Sequence, residues 1–289
     1  LITALLQVTI LHDDRGAQVE QDLYRRQPLE LTNDIPVFSP TTEYTENYEK
    51  ISGDHLQSIE EDGDNPFIPE ALWVETEQST EELIRQHAKP GDKILDVGVG
   101  LGRLLSRFPD MQRYGMDISF GYLAVAQREG IEVCYSLIED MPYQSGLFDI
   151  VVVTDVLEHV LDLNLCCRKI LDVLKSGGIL IVRVPYREDL SGYLAPEYPY
   201  KYVHLRTFDE HFLHLHFDRV FGCKVLETRT AGYLPYSSHL RCPLRFPARD
   251  RILMCWLGTI RRCFGARAYQ AEVRRLYRPA EINAVVRKP

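Results

Sequence analysis

The feature that most constrains the fold is a glycine-rich turn that directly follows a short apolar segment. Residues 93–97 read Lys-Ile-Leu-Asp-Val, and glycines follow at positions 98, 100 and 102. Because glycine has no Cβ atom, such a turn can adopt positive φ angles and let a ligand lie against the backbone. The spacing is GxGxG, whereas a dinucleotide fingerprint has the spacing GxGxxG. We therefore predict a ligand loop at the end of a β-strand, with Asp96 at the strand tip.

Strand-like apolar runs alternate with helical segments along the middle of the chain. Ser79 and Glu82 have the spacing of a capping box, which predicts a helix that begins there and ends at Pro90. The run 149–154 is continuous and β-branched, as expected of a central strand buried on both faces. The remaining strands are predicted at 93–97, 113–116, 132–136, 179–184 and 224–230, and the helices at 103–108, 119–129, 161–174 and 208–220. This alternation predicts an α/β fold with a doubly wound, mostly parallel sheet.

Composition divides the chain into three parts. Residues 1–78 are acidic and interrupted by prolines, so we expect an irregular N-terminal extension or lid. Residues 79–235 contain the alternating pattern and form the predicted ligand-binding domain. Residues 236–289 form a basic, partly apolar C-terminal appendage. The apolar segment 1–11 is too short for a membrane span and lacks the basic flank of a signal peptide, so we expect a strand or the remnant of a longer chain.

The net charge of -9 is unevenly distributed. From Arg241 to the end there are 12 Lys or Arg and 3 Asp or Glu, so this part carries +9 and the first 240 residues carry -18. The overall charge argues against a protein that coats nucleic acid. The asymmetry predicts that the basic end contacts something that the rest of the chain avoids.

A second acid follows the glycine-rich turn. Asp117 ends the strand-like segment 114–117 and stands 21 positions after Asp96. A carboxylate at the tip of the second strand can accept hydrogen bonds from both hydroxyls of a ribose. Alternatively, Asp117 caps the helix that begins near Ser119. S-adenosylmethionine has no phosphate and carries cationic sulfonium and amino groups, so an acid at the strand tip suits it better than a dinucleotide.

Several segments together resemble the class I S-adenosylmethionine-dependent methyltransferase family, in the broad group that contains the ubiquinone and menaquinone methyltransferases. The matching segments are 96–102, 114–117, 138–143, 148–160 and 174–185, and they follow one another in the family's order. The resemblance implies a Rossmann-like sheet, S-adenosylmethionine as cofactor and methyl transfer as the reaction.

The resemblance also implies a set of cofactor-binding residues in the loops that follow the first four strands of the predicted domain. They are Asp96, Gly98, Gly100, Asp117, Ile118, Ile138, Glu139 and Thr154. The first three would hold the methionine part, Asp117 the ribose and Ile118 one face of the adenine. Ile138 and Glu139 would meet the adenine edge, and the carbonyl of Thr154 would accept from the cofactor's amino group. Leu137 stands where members of the group often have an Asp, so one adenine hydrogen bond is either absent or supplied by Glu139 or Asp140.

A cluster of polar residues follows the fourth of these strands. Asp155, Glu158 and His159 have i, i+3 and i, i+4 spacing, so on a helical turn they would share a face. One interpretation is that they only cap and pack the next helix. A second is that His159 is the general base that takes a proton from an acceptor hydroxyl. A third is a divalent metal site, because a related acid-x-x-Glu-His arrangement binds magnesium in some quinone-precursor and RNA-end O-methyltransferases; no metal ligand is assigned.

A second candidate base lies beyond the fifth strand. His204 follows that strand in a segment that also contains Tyr193, Tyr198, Tyr200 and Tyr202. Such a loop above the carboxyl ends of parallel strands is a plausible cover for the acceptor. Ordinary surface aromatic residues are the alternative.

The basic end of the chain contains an apolar stretch at 252–260 with arginines on both sides. This pattern fits an interfacial helix on an anionic membrane, and it equally fits a helix packed on its own domain. The stretch is too short to span a bilayer. Nucleic acid is the weaker expectation, because the arginines are not regularly interleaved with aromatic residues.

The function expected from these features is transfer of a methyl group from S-adenosylmethionine to a hydroxyl of a small molecule, glycan or lipid-linked acceptor. The alternatives are a magnesium-dependent O-methyltransferase acting on RNA or a catechol-like substrate, an NAD-dependent oxidoreductase, and a non-catalytic cofactor-binding module. The seven cysteines form no CxxC pair, which indicates reduced thiols. A cytoplasmic location is therefore expected, with peripheral membrane contact through the basic segment.

Overall fold

The structure is a computed structural model that describes residues 22–63, 65–235, 239–241 and 248–289. The apolar segment 1–11 lies outside the described residues. None of the helices in the described ranges combines the length and the apolarity needed to cross a bilayer.

A nine-stranded sheet runs through the described part of the chain. Its strands are β1 (Glu30–Thr32), β2 (Ile35–Val37), β3 (Lys93–Val97), β4 (Gln112–Asp117), β5 (Glu132–Tyr135), β6 (Phe148–Thr154), β7 (Leu174–Pro185), β8 (Lys224–Ala231) and β9 (Glu281–Arg287). Their spatial order is β1-β2-β5-β4-β3-β6-β7-β9-β8. The strands from β2 to β7 are parallel, whereas β1 and β9 pair antiparallel to their neighbours. The predicted doubly wound, mostly parallel α/β sheet is confirmed.

Two apolar cores cover the two faces of this sheet, because alternate residues of each central strand point to opposite faces. In β6, Val151 and Val153 belong to one core and Ile150 and Val152 to the other. All four side chains are almost completely buried. Burial on both faces therefore accounts for the continuous β-branched run at 149–154, as inferred from the sequence.

The helices that flank the sheet are α1 (Glu43–Asp62), α2 (Glu70–His87), α3 (Phe120–Arg128), α4 (Leu163–Val173), α5 (Glu210–His214) and α6 (Arg249–Leu276). Helix α5 continues as a π-helical turn over 215–220, and the helix predicted at 103–108 is only a 3-10 turn at 105–107. The predicted capping box at Ser79 is wrong. Helix α2 begins at Glu70 after Pro69, and Ser79 lies within it, where its hydroxyl accepts from Asn283.

The N-terminal region is more regular than the irregular extension predicted for it. Strands β1 and β2 form a hairpin that extends the parallel sheet at β5, and α1 begins with a capping box between Thr42 and Thr45. The prolines that suggested irregularity mostly lie between these elements: Pro40 precedes α1, and Pro66 and Pro69 lie between α1 and α2. Proline ends an element without preventing a long helix between two such positions.

At the other end, β9 inserts between β7 and β8. This strand comes from the predicted appendage 236–289, so the sheet extends on both sides beyond the range 79–235 assigned to it. Its Asn283 is fully buried and accepts from the hydroxyl of Thr80 on α2 at 2.9 Å. The contact ties the end of the chain to the helix that leads into β3.

Candidate functional site

A large cavity lies at the carboxyl ends of β3, β4 and β6. The strand order reverses here, since the chain runs outward from β3 through β4 to β5 and then returns to β6 on the other side. Open α/β sheets bind ligands at such a point. The cavity measures about 1280 Å³. It is closed by α1, by residues 186–204 and by residues 239–241 and 278–281.

Most of the sequence-predicted site residues line this cavity. They are Gly98, Gly100, Asp117, Ile118, Ile138, Glu139, His159 and His204. The other two, Asp96 and Thr154, are not among the described residues of its wall. Asp96 is buried behind the glycine loop, and Thr154 pairs with Arg183 in the sheet.

The glycine loop is held in a shape that a larger residue cannot adopt. Gly98 has a φ of 81°, and a Cβ atom there would lie 2.3 Å from Cγ2 of Val156. Gly100 has a φ of 51°, and its N–H donates to Asp117 Oδ2 at 2.9 Å. The loop therefore presents bare backbone to the cavity at Gly98, as required for a ligand that lies against it.

Asp117 combines the two roles weighed from the sequence. Its carboxylate lines the cavity and also accepts from the N–H groups of Gly100, Ile118 and Ser119 at 2.8 to 3.0 Å. Ser119 itself is the N-cap of α3, so Asp117 fixes the glycine loop and the turn before the helix. Burial raises the pKa of Asp117 to about 6, and the three N–H donors oppose this rise. This carboxyl is poised to titrate near neutral pH.

Asp96 is a buried acid with an open acceptor. Among the residues that the structure describes, none donates a hydrogen bond to its Oδ1. Burial raises the pKa of this carboxyl well above its usual range, and the nearby Arg183 guanidinium acts in the opposite direction. An acceptor buried behind a ligand loop is favourable for a ligand with a cationic amino group. The bare loop, the Asp117 carboxylate and this open acceptor all fit S-adenosylmethionine.

The edge of the predicted adenine site differs from the group's usual pattern as the sequence indicated. Leu137 lines the cavity, and its N–H donates to the hydroxyl of Ser39. Asp140, one of the two expected substitutes, accepts from the same hydroxyl at 2.8 Å. Glu139 lines the cavity and is the remaining candidate for the adenine hydrogen bond.

Asp155, Glu158 and His159 all line the cavity, but they do not lie on the helical turn considered from the sequence. Residues 155–160 form a turn and not a helix, and Asp155 has a φ of 56°. Its carboxylate forms a short ion pair with Arg183, whose side chain is only 3% exposed. Arg183 also donates to the hydroxyl of Thr80. The ion pair ties the Asp155 carboxylate to β7, whereas Glu158 and His159 lie close to His204.

We expect the Arg183→Gln substitution to lower the free energy of unfolding by about 3 kcal/mol, because it removes a buried cation that opposes the raised pKa of the buried Asp96 and Glu281 carboxyls. Arg187→Gln is the matched control, since Arg187 is more than half exposed and pairs only with surface acids. Its effect should stay within about 0.5 kcal/mol. Urea unfolding measures both; equal losses in the two variants would contradict the buried role of Arg183.

His159 is poorly suited to act as the general base considered for it in the sequence analysis. Its ring is largely buried between Tyr48 and His204, with ring centroids 5.4 and 4.4 Å away. Burial and the neighbouring His204 lower the pKa of His159 to about 3. The imidazole is therefore neutral at physiological pH, but a group with so low a pKa binds a proton weakly.

His204 has the surroundings of an oriented base. Its Nδ1 lies 2.5 Å from Oε2 of Glu188, and the hydroxyl of Tyr193 donates to the other carboxylate oxygen at 2.8 Å. Because a carboxylate only accepts, Nδ1 carries the proton, and it is Nε2 that holds the lone pair in the neutral form of the ring. Glu188 lies in the loop after β7, and no pattern in the sequence singled it out. Only the folding of residues 186–204 over the cavity brings it to His204.

Glu158 completes a small group of donor atoms. Its side chain is fully buried, and neither carboxylate oxygen has a hydrogen-bond partner among the described residues. Burial, with the negative charge of Asp155, raises the pKa of Glu158 well above its usual range. One donor atom from each of Glu158, His159 and His204 lies within 4.8 Å of the others. Such a group can share a proton or hold a cation.

Helix α1 and the tyrosine-rich loop contact each other above Glu158, His159 and His204. Helix α1 and the tyrosine-rich loop are joined where Asn47 donates to the carbonyl of Tyr202 and where the Tyr200 hydroxyl donates to Asp54. Helix α1 is also tied to the start of α3, because Glu49 accepts from the N–H of Phe120 at 2.9 Å. The predicted tyrosines Tyr193, Tyr198, Tyr200 and Tyr202 all line the cavity. The cover is therefore aromatic, and the N-terminal region forms half of it.

A family model described as a methyltransferase domain matches residues 95–182. An uncharacterised protein of Methanocaldococcus jannaschii is 30% identical over 116 residues, 40% of this chain and 55% of that protein. Phosphoethanolamine N-methyltransferase 2 of Caenorhabditis elegans is 31% identical over a match that covers 32% of this chain and 24% of that protein. Ubiquinone biosynthesis O-methyltransferase of Chelativorans is 33% identical over a match that covers 33% of this chain and 42% of that protein. The chain thus spans about a quarter to just over half the length of these relatives.

Among solved structures, the complex between the Trm112 methyltransferase activator of Haloferax volcanii and a methyltransferase contains a similar chain. The TM-score is 0.56 at 16% identity, and the match covers 87% of this chain and 100% of that one. At this level of identity the likeness concerns the fold alone.

Proposed function

Because the chain belongs to the class I S-adenosylmethionine-dependent methyltransferase family and S-adenosylmethionine is its cofactor, we propose that it transfers the cofactor's methyl group to an acceptor hydroxyl. The acceptor would be a small molecule, a glycan or a lipid-linked compound that enters beneath the aromatic cover. The observation that carries this proposal is the pair formed by His204 and Glu188 on the wall of the cofactor cavity. A hydroxyl oxygen needs to lose a proton as it gains a methyl group, and this pair can take it.

The protein's own contribution is mainly to orient the two reactants and to exclude water. The cofactor, when bound, supplies a methyl group that its sulfonium already activates. Asp96, Gly98 and Gly100 would hold its amino-acid end, and Asp117 its ribose. Nε2 of His204 would accept the acceptor's proton while the acceptor oxygen gains the methyl group, and Glu188 would stabilise the imidazolium that results. The relatives include both an N- and an O-methyltransferase, and the oriented base favours oxygen.

Incorporation of label tests the acceptor class. The full chain would be incubated with S-adenosylmethionine labelled in its methyl group and with cell extract separated into lipid, glycan, RNA, protein and small-molecule pools. We expect label in a lipid, glycan or small-molecule pool, as a methyl ether. Label only in RNA or protein, or as an N-methyl group, would contradict the proposed acceptor class. Binding of adenosylhomocysteine without turnover on any pool would support a non-catalytic binding module.

A thermal-shift titration separates this function from an NAD-dependent oxidoreductase. We expect adenosylhomocysteine to raise the melting temperature in proportion to its occupancy of the folded state, and NADH to leave it unchanged. The GxGxG spacing and the open acceptor at Asp96 support preferential binding of adenosylhomocysteine over NADH. Stabilisation by NADH alone would overturn the proposed role of the cavity.

We expect adenosylhomocysteine to bind more weakly as the pH falls below about 6. The carboxyl of Asp117 has its pKa raised to about 6 by burial, and only its ionised form can accept from both ribose hydroxyls. Affinity should drop by up to about tenfold per pH unit below that value. Isothermal titration from pH 8 to pH 5 measures this dependence. Asp117→Asn is the control: it should bind weakly with a nearly flat profile, and a wild-type profile in this variant would contradict the assignment.

A second candidate function is metal-dependent O-methylation, which the group formed by Glu158, His159 and His204 favours. Two imidazoles and one carboxylate suit zinc, manganese or iron better than magnesium, which prefers oxygen ligands. Such an ion would polarise the acceptor oxygen. This function would be supported if EDTA abolished turnover and a divalent ion restored it. The Glu158→Gln variant should then show neither effect. EDTA-insensitive turnover would rule it out.

A further inference from the structure

Helix α6 is a helical hairpin. Gly265 interrupts it with a φ of 83° and a ψ of 179°. The indole N–H of Trp256 donates to Glu272 at 3.2 Å, although in a straight helix these residues would be roughly 24 Å apart. The guanidinium of Arg261 lies 5.8 Å from the ring of Tyr269. The two halves of α6 therefore fold back on each other with Gly265 at the tip.

The hairpin packs on the rest of the molecule only near its base. Leu257 and Val273, one from each half, are completely buried in a small core with Leu240 and Tyr277. Towards the tip every residue from 261 to 267 is exposed. The tip thus projects from the domain without a partner in the described part of the chain.

The projecting part combines apolar and cationic side chains. Residues 251–271 contain four arginines, Arg251, Arg261, Arg262 and Arg267, and no acidic residue. Phe264 at the tip is 74% exposed, and Ile252 and Trp256 are 56% and 52% exposed. Ile252 and Trp256 have i, i+4 spacing, and Cys263 continues their face of the helix. Several exposed apolar side chains on one projecting element are typical of an interaction site.

We propose that this hairpin docks on an anionic lipid surface. Its arginines would lie among the lipid headgroups while Phe264, Trp256 and Ile252 enter the interface between headgroups and acyl chains. Charge complementarity favours this partner: residues 251–271 of the hairpin carry four arginines and no acid, whereas the first 240 residues carry -18 and are repelled by the same surface. A nucleic acid would use the arginines but gain nothing from exposed aliphatic groups such as Ile252 and Met254.

The base of the hairpin connects this surface to the cavity. Leu240 and Tyr277, which flank α6, form a bridge between two short segments. Their side chains point into the core under the hairpin, whereas Arg241 and Arg278 beside them line the cavity. A docked hairpin would therefore place the arginine-lined wall of the cavity towards the lipid. The inference does not depend on methyl transfer.

Co-sedimentation of the full chain with vesicles tests the docking. We expect binding to phosphatidylcholine vesicles that contain phosphatidylglycerol and little binding to phosphatidylcholine alone. The triple change of Arg261, Arg262 and Arg267 to Glu should lower the partition coefficient at least about tenfold. A matched triple change of Arg128, Arg168 and Lys224, which are exposed elsewhere, alters the net charge equally and should have a much smaller effect.

A second readout separates insertion from charge alone. Brominated acyl chains should quench the fluorescence of Trp256, and Phe264→Ser should weaken binding while circular dichroism shows an unchanged fold. Equal binding to neutral and anionic vesicles would overturn the proposal. So would equal losses in the two triple variants, absence of quenching, or binding to RNA but not to vesicles.

Discussion

Replacing His204 with glutamine should lower the rate of methyl transfer about 10²–10⁴-fold, the range that a positioned general base contributes. The affinity for adenosylhomocysteine should not change, because His204 acts on the acceptor and not on the cofactor. Its Nδ1 is held by Glu188 at 2.5 Å, so Nε2 is the atom that this variant removes from the reaction. Single-turnover measurement with labelled cofactor gives the rate.

Glu188→Gln tests the orienting contact separately. An amide can still accept from Nδ1 but no longer stabilises the imidazolium, so we expect a smaller loss of rate and a shifted pH profile. A residue with only a structural role would not shift that profile. His214→Gln is the control, because His214 is exposed, is absent from the cavity wall and pairs with Asp218 in the π-helical turn that follows α5. It should leave the rate unchanged.

His159→Gln decides between the two histidines. If His159 were the base, as the sequence suggested, this variant would be inactive and His204→Gln would keep its activity. The low pKa of His159, about 3, favours the opposite result. Performing all reactions with and without EDTA distinguishes loss of a base from loss of a metal ligand.

The parts of the site that the sequence predicted are those in which neighbouring residues act together. Asp96, the glycines and Asp117 each stand at the end of an apolar run, and parallel strands bring such ends to one edge of a sheet. The contacts that it missed join residues far apart along the chain. Glu188 meets His204 across 16 residues, Arg183 meets Asp155 across 28, and Tyr48 of α1 packs on His159 from 111 residues away. Periodicity reports which face a residue occupies but not which element covers that face.

The difference between local pattern and tertiary contact also explains which strands the sequence predicted. The central strands were recognisable because burial on both faces leaves a continuous apolar run, as in β6. Strands β1 and β2 have three residues each, which is too short for any periodic signal. Strand β9 lies 50 residues beyond β8 and is fixed by its pairing with β7 and β8. Its antiparallel position depends on tertiary pairing that the local sequence does not encode.

The second large effect is expected at the glycine loop. Gly98→Ala should weaken the binding of adenosylhomocysteine at least about 100-fold, corresponding to about 3 kcal/mol. Two costs combine. A side chain at a φ of 81° costs about 1–2 kcal/mol. The new Cβ would lie 2.3 Å from Cγ2 of Val156, and such overpacking costs about 1–3 kcal/mol. The loop can relieve the backbone strain and the contact with Val156 only by moving into the space that the ligand needs.

Two other variants separate these costs. Gly146→Ala adds a methyl group at a φ of 65° with nothing within 4 Å and away from the cavity wall, so it should lower stability slightly and leave binding unchanged. Val156→Ala combined with Gly98→Ala removes the clash but keeps the backbone strain. We expect this double variant to recover part of the lost affinity, with a coupling energy above about 0.5 kcal/mol. Titration calorimetry on the wild type, Gly98→Ala, Val156→Ala and the double variant measures the coupling. If the double variant binds no better than Gly98→Ala, the approach of Val156 is not what requires glycine, and the backbone angle alone sets the shape of the loop.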